Sequence, residues 1–194
     1  MKLRHQILTG ERLLLSNLEV HSLGPELILE NCEIYSDCEE AALILSGVRM
    51  RGGRFIQQDR ALRDFHFEHV HFDGVKFEGA YEGVDFGDWD MPQKSSIVSC
   101  DFTLARLDGC GFLNCDIHSI VLPKWPCYTI VDLPTARAFV LARQWPTKIA
   151  LYLDVDTDND PECAAISGDA ARLARKAVSR WTSSVTCFSP SPAC

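Results

Sequence analysis

Cys100-Asp-Phe102, Ala105-Arg-Leu107, Cys110-Gly-Phe112, Cys115-Asp-Ile117 and Ile120-Val-Leu122 set an apolar pair at the same phase in five successive segments of five residues. A helix needs apolar spacing near 3.6 and an ordinary strand needs 2, so neither produces a sustained 5. The same beat occurs upstream in Phe65-His-Phe67, Val70-His-Phe72 and Val75-Lys-Phe77. Self-similarity at a fixed period is the sequence mark of a solenoid. Two residues that lie two apart share one face of an extended segment, so each pair points inward. The residues between them (His66, His71, Lys76, Asp101, Arg106 and Asp116) are polar and are expected outside.

One slot of each segment takes Phe, Leu or Ile. The slot two before it mostly takes a small or short residue such as Cys, Ala or Val. That combination suits a narrow interior, where a bulky side chain needs a small neighbour to reach close packing. The pattern resembles the pentapeptide-repeat proteins, whose consensus has Leu or Phe at the centre and Ala or Cys two before it. The resemblance implies an all-β solenoid, a right-handed, four-sided β-helix with four pentapeptides per turn. It extends over roughly residues 13 to 122. Weaker pairs are Leu13/Leu15, Leu18/Val20, Leu27/Leu29, Cys32/Ile34, Leu43/Leu45, Val48/Met50 and Gly53/Phe55. The phase slips between these blocks, which predicts loops at 21–26, 35–42, 56–64 and 87–97. Ala80 falls in the small slot but Glu82 stands where Phe belongs, and the beat returns at Val84/Phe86, so 80–84 reads as a bulge or corner insertion.

Residues 1–122 are therefore expected to form the β-helix, 123–185 a small strand-and-helix cap, and 186–194 a flexible tail. In the cap, Tyr128–Val131 reads as a strand, Pro134–Gln144 as a helix stopped by Trp145-Pro146, Ile149–Val155 as a strand, and Cys163–Trp181 as a second helix. Asp160-Pro161-Glu162 would supply acids at the start of that helix. Its polar side would carry Arg172, Arg175, Lys176 and Arg180.

The nine cysteines do not form a metal framework. Cys32, Cys100, Cys110 and Cys115 occupy the small inward slot, where a thiol acts as a compact hydrophobe. No C-x-x-C pair occurs. No export signal or run of about 18 apolar residues is present, so a cytoplasmic protein with reduced thiols and no membrane contact is expected. Asp154-x-Asp156-x-Asp158-x-Asp160 opens like a calcium loop, but Asn159 replaces the turn glycine and Ala165 the bidentate Glu. His66, His69 and His71 carry imidazoles, yet the coil would place them on different parts of its perimeter. Nucleotide-binding, hydrolase and metalloprotease motifs are missing, so no catalytic residue and no cofactor are expected.

Charge is the remaining signal. The chain is net −8, and between residues 66 and 90 seven carboxylates face one lysine. Glu68, Asp73, Glu78, Glu82, Asp85, Asp88 and Asp90, with Trp89 among them, are the candidate protein-binding residues. Such a field opposes direct binding of nucleic acid and suits a basic protein partner. Residues five apart wind round the coil, and only those about twenty apart stack on one face. The expected function is a non-enzymatic interaction solenoid of the immunity or antitoxin type, which neutralises a cognate toxin. The alternatives are the DNA mimicry known among pentapeptide-repeat proteins, where the partner is a topoisomerase, and an enzyme using His66/His69/His71 or Asp154–Asp160.

Overall fold

Short strands whose inward residues are two apart bury them here by stacking successive coils of chain on one another. The computed structural model describes residues 1–89 and 94–178. Its body is a parallel β-solenoid of about five turns. The first coil holds β1 (Lys2–Leu3), β2 (Gln6–Thr9) and β3 (Arg12–Leu15), and the second β4 (His21–Leu23), β5 (Leu27–Glu30) and β6 (Glu33–Ser36). The third holds β7 (Leu43–Leu45), β8 (Val48–Arg51) and β9 (Arg54–Arg63), and the fourth β10 (Val70–Asp73) and β11 (Lys76–Glu82). The fifth holds β12 (Asp85–Gly87), β13 (Ser96–Val98) and β14 (Asp101–Asp108), followed by β15 (Cys110–Leu113). Each strand pairs in parallel with its equivalent one coil on: Gln6 lies beside Leu27, Leu27 beside Val48, and Val48 beside Val70. One coil thus takes 21 or 22 residues, lengthening to 25 where His71 meets Ser96.

The interior is filled as the five-residue beat requires. Phe65, Phe67, Val70, Phe72, Val75, Phe77, Cys100, Phe102, Ala105, Leu107, Cys110 and Phe112 are all buried. Six of the rings form two columns. Phe55, Phe77 and Phe102 stack along one, with centroids 6.0 and 4.5 Å apart. Phe67, Phe86 and Phe112 stack along the other, at 5.3 and 5.5 Å. Between columns the rings meet edge to face, as Phe77 does with Phe86 at 5.3 Å and Phe102 with Phe112 at 5.3 Å. Both geometries match the positive edge of one ring to the negative face of another. Cys115 and Leu122, expected inside, are only partly buried and pack against the end of this core.

The sequence expectation fails where corners absorb the phase slips. Leu18 and Val20 point outward, and His21 and Leu23 take the interior. A turn at 16–19 sets this register: Ser16 Oγ accepts from the Leu18 N–H, and the buried His21 holds the Ser16 carbonyl through Nε2 at 2.9 Å. The predicted loop 21–26 begins with strand β4. Of 35–42, residues 35 and 36 belong to β6 and Glu40–Ala42 is a 3-10 turn. Most of 56–64 lies inside β9, and within 87–97 Gly87 ends β12 and Ser96 starts β13. The insertion is instead a bulge: Gln57 faces Gly79 and Leu62 faces Tyr81, so residues 58–61 stand opposite Ala80 alone. Tyr81, not Ala80 or Glu82, fills the core here, its hydroxyl donating to the Phe55 and Glu78 carbonyls at 3.1 Å each. Gly79, at φ +94°, is required: a Cβ would sit 1.8 Å from the Gln57 carbonyl oxygen.

Beyond the coils lie β16 (Cys127–Val131), α1 (Leu133–Leu141), α2 (Thr147–Thr157), β17 (Cys163–Asp169) and α3 (Ala170–Val178). The first two match the sequence reading; the next two correct it. Residues 149–155 were expected to form a strand, but the segment is helical, and Arg137 of α1 grips Asp154 at 3.1 Å and Asp158 at 3.4 Å, one helical turn apart. Residues 163–169 were expected to open a helix and form a strand, which pairs antiparallel with both β15 and β16. This strand covers the free edge of the last coil, a requirement that outweighs the helical composition of Ala164-Ala165. Helix α3 starts at Ala170, not at Cys163, with the Asp169 carboxylate accepting from the Arg172 N–H at 2.9 Å. Lys176 side-chain placement, Arg180, Trp181 and the 186–194 tail lie outside the described residues. Among the described residues no helix is long and apolar enough to cross a membrane.

Candidate protein-binding surface

The coil period brings together residues that are distant in sequence. His66 and Asp85 are nineteen apart and stack on adjacent coils as a parallel bridge. The Asp85 carboxylate meets His66 Nδ1 at 2.9 Å and accepts from the Trp89 indole N–H at 3.3 Å. Asp88 folds the chain back: its Oδ2 accepts from the backbone N–H groups of Lys94 and Ser95 at 2.7 and 3.2 Å. Asn114 donates to the Asp88 carbonyl at 2.7 Å, and Ser95 Oγ donates to the Phe67 carbonyl at 3.0 Å. These bonds seat Trp89, 39% exposed, over a groove of about 500 Å³. His66, Glu68, His69, Asp85, Asp88 and Lys94 line it with the indole.

Of the sequence candidates, this groove unites Glu68, Asp85, Asp88 and Trp89. The others lie elsewhere. Asp73 is exposed at the end of β10. Glu78 sits on β11, 3.4 Å from the Arg54 guanidinium. Glu82 is held by Arg63 at 3.1 Å and by Arg172 at 2.7 Å, and Arg172 also reaches Asp108 at 3.1 Å. That second cleft, about 400 Å³, joins the coils to α3. Its Tyr128 hydroxyl donates to Asp156 at 3.0 Å, and burial followed by the Asp156 charge pushes the phenol upward. Asp90 lies outside the described residues.

Four of the six belt acids among the described residues, Glu78, Glu82, Asp85 and Asp88, are thus engaged by the protein's own groups. Asp85 and Asp88 shape the Trp89 loop, whereas Glu68 is an exposed charge at its rim. His66, His69 and Lys94 join the groove without having been among the binding candidates. The pairing of His66 with Asp85 could have been found from the coil period, since nineteen residues is close to one turn. His71 stands apart, bonded through Nδ1 to Ser96 Oγ at 2.9 Å. The aspartates of 154–160 are likewise divided: Asp154 and Asp158 face Arg137, and Asp156 faces Tyr128.

The outer face of β3, β6, β9, β11 and β14 carries both signs. Arg12, Glu33, Arg54, Lys76 and Asp101 stand in register across it. Glu33 bonds both Arg12 and Arg54, and its carboxyl is held below the usual value by the Arg54 and Tyr35 hydrogen bonds. No family model, curated protein or solved structure matches this chain.

Proposed function

We propose that this chain is a non-enzymatic interaction protein of the immunity or antitoxin type, which acts in the cytoplasm by binding a basic protein toxin at the Trp89 groove. One observation carries the reading: an exposed indole is fixed by Asp85 beneath it and flanked by the exposed carboxylate of Glu68. A preoriented aromatic loses little side-chain entropy on docking, and a rim carboxylate steers a cationic surface toward it. The seven cysteines of the described residues are free thiols, which suits a reducing compartment. Within the same reading the coil is the right-handed, four-sided helix of the pentapeptide-repeat family. The paired small and large inward residues and the 21–22-residue coil, close to four fives, support that membership.

DNA mimicry draws less support. It needs an unbroken acidic face, and the row from Arg12 to Asp101 holds three cations and two carboxylates. The test is parallel capture from the native host with the wild-type chain and with Trp89→Ala. The reading expects one basic protein, retained by the wild type, depleted by the variant, and toxic to cells when expressed alone. Retention of that protein by both forms, or capture of a topoisomerase in its place, would overturn it.

A further inference from the structure

A second surface adjoins the Trp89 groove and has the opposite sign. Across β2, β5, β8, β10 and β13 the outward row reads Ile7, Ile28, Arg49, His71 and Ser96, each in register with the next. At the neighbouring corner the Gly47 N–H donates to the His69 carbonyl at 2.8 Å. Gly47 has φ +68°, and a Cβ there would stand 3.2 Å from Pro25 Cα, so the glycine keeps a trough open above the proline. The trough measures about 350 Å³. Pro25 and Ile28 give it apolar surface, and Arg49 and Lys94 bring cations beside the imidazoles of His69 and His71.

The two cations here stand without the carboxylate partner that five arginines of the coils possess. Arg12, Arg51, Arg54, Arg60 and Arg63 each reach a carboxylate. Arg49 and Lys94 form no such pair among the described residues, and the one carboxylate lining the trough, Glu26, is taken by His5 at 3.1 Å. Burial chiefly, then the charges of Arg49 and His69, depress the His71 imidazole. In a chain of net charge −8 this is a local field that favours an anion.

We propose that the trough binds an acidic–apolar peptide segment of the protein partner, with a Glu or Asp carboxylate between Arg49 and Lys94 and an adjacent apolar side chain over Pro25 and Ile28. His69 and Lys94 line both this trough and the Trp89 groove, so one bound segment can occupy the two in sequence. The proposal rests on the interaction reading for the existence of a partner, but the trough's preference can be measured without one. The probes are two capped tetrapeptides, Leu-Glu-Leu-Glu and Leu-Lys-Leu-Lys, and inorganic phosphate, each titrated into isotope-labelled protein and followed by NMR. The expected result is saturable shifts at Ile28, Arg49 and His71 with the Glu peptide alone, and a raised His71 titration midpoint in its presence. The double variant Arg49→Glu, Lys94→Glu should melt like wild type and bind the Glu peptide about tenfold more weakly or worse. Equal binding of the Lys peptide, phosphate shifts of equal affinity, or an unaffected double variant would each overturn the proposal. Because Trp89→Ala leaves the trough intact, failure of the capture experiment and failure of peptide binding are separate results.

Discussion

The rings of Phe77 and Phe102 lie 4.5 Å apart at centroid and within 4° of parallel, each contributed by a different coil. Both are fully buried, so the contact joins neighbouring coils with no solvent between them. Phe102→Ala would leave a void in a column that cannot collapse without shifting two sets of strands. The expected loss is about 3–5 kcal/mol, read from urea unfolding. Phe102→Leu, which keeps more of the volume, should cost less. A loss below about 1 kcal/mol for the alanine variant would contradict the stacked core.

Glu33 predicts the acid limb of stability. Hydrogen bonds from Arg54 and Tyr35 hold its carboxyl below the usual 4.5. A depressed carboxylate stabilises the fold fully above its unfolded value, and the contribution disappears as pH falls through the folded value. The melting temperature of wild type should therefore exceed that of Glu33→Gln by a constant gap above pH 4.5, and the gap should shrink below it. Melting curves of both proteins from neutral pH down to about 3 provide the check. A gap that widens on acidification has the wrong sign.

Thiol reactivity should follow burial. The Cys110 thiol is pushed up to about 12 and that of Cys100 to about 11, in both cases chiefly by desolvation. Cys115 is also raised, to about 11, but is only partly buried. Iodoacetamide at pH 8 followed by peptide mapping should leave Cys100 and Cys110 unmodified in the native protein. Cys115 should react before either, and all three should react in denaturant. Native-state labelling of Cys110 at the rate of a free thiol would show that the small slot is not inward.

Arg172 ties α3 to the coils through Glu82 and Asp108. Replacing it with Met breaks both of these bridges, and Glu82 keeps its contact with Arg63. Because the guanidinium is partly exposed, the loss should be modest, about 1 kcal/mol. Amide exchange measured by mass spectrometry should speed up in β17 and α3, while β8, β10 and β11 stay protected. Uniform acceleration across the whole chain would mean that the helix and the coils unfold as one unit.

The coils were legible in the sequence because a buried pair at a fixed phase is a local signal, and Phe65 to Phe77 and Cys100 to Phe112 repeat it strongly. The corners were not. His21 replaces Val20 inside because of the Ser16 turn, and Tyr81 replaces Ala80 because β9 carries the extra residues opposite. Neither cause lies within the five-residue window itself. The strand Cys163–Asp169 was missed for a similar reason: its conformation answers the open edge of β15, a demand set by a segment fifty residues earlier. At the candidate site, Trp89 and its acids stood out by composition. The commitment of Asp85 to His66 depends on coil-to-coil register, and the cations of the trough depend on which corner faces which.

Binding kinetics test most directly the proposal that Trp89 and Glu68 grip a basic protein. Association and dissociation rates of the captured partner should be measured for wild type, Glu68→Lys and Trp89→Ala at low and high ionic strength. Charge reversal at Glu68 should slow association at low salt, and the difference should vanish at high salt, because rim charges act on encounter. Loss of the indole should leave association nearly unchanged and speed dissociation on the order of tenfold or more. Rates that match wild type for both variants at both salt concentrations would contradict the claim and place the partner on another face of the solenoid.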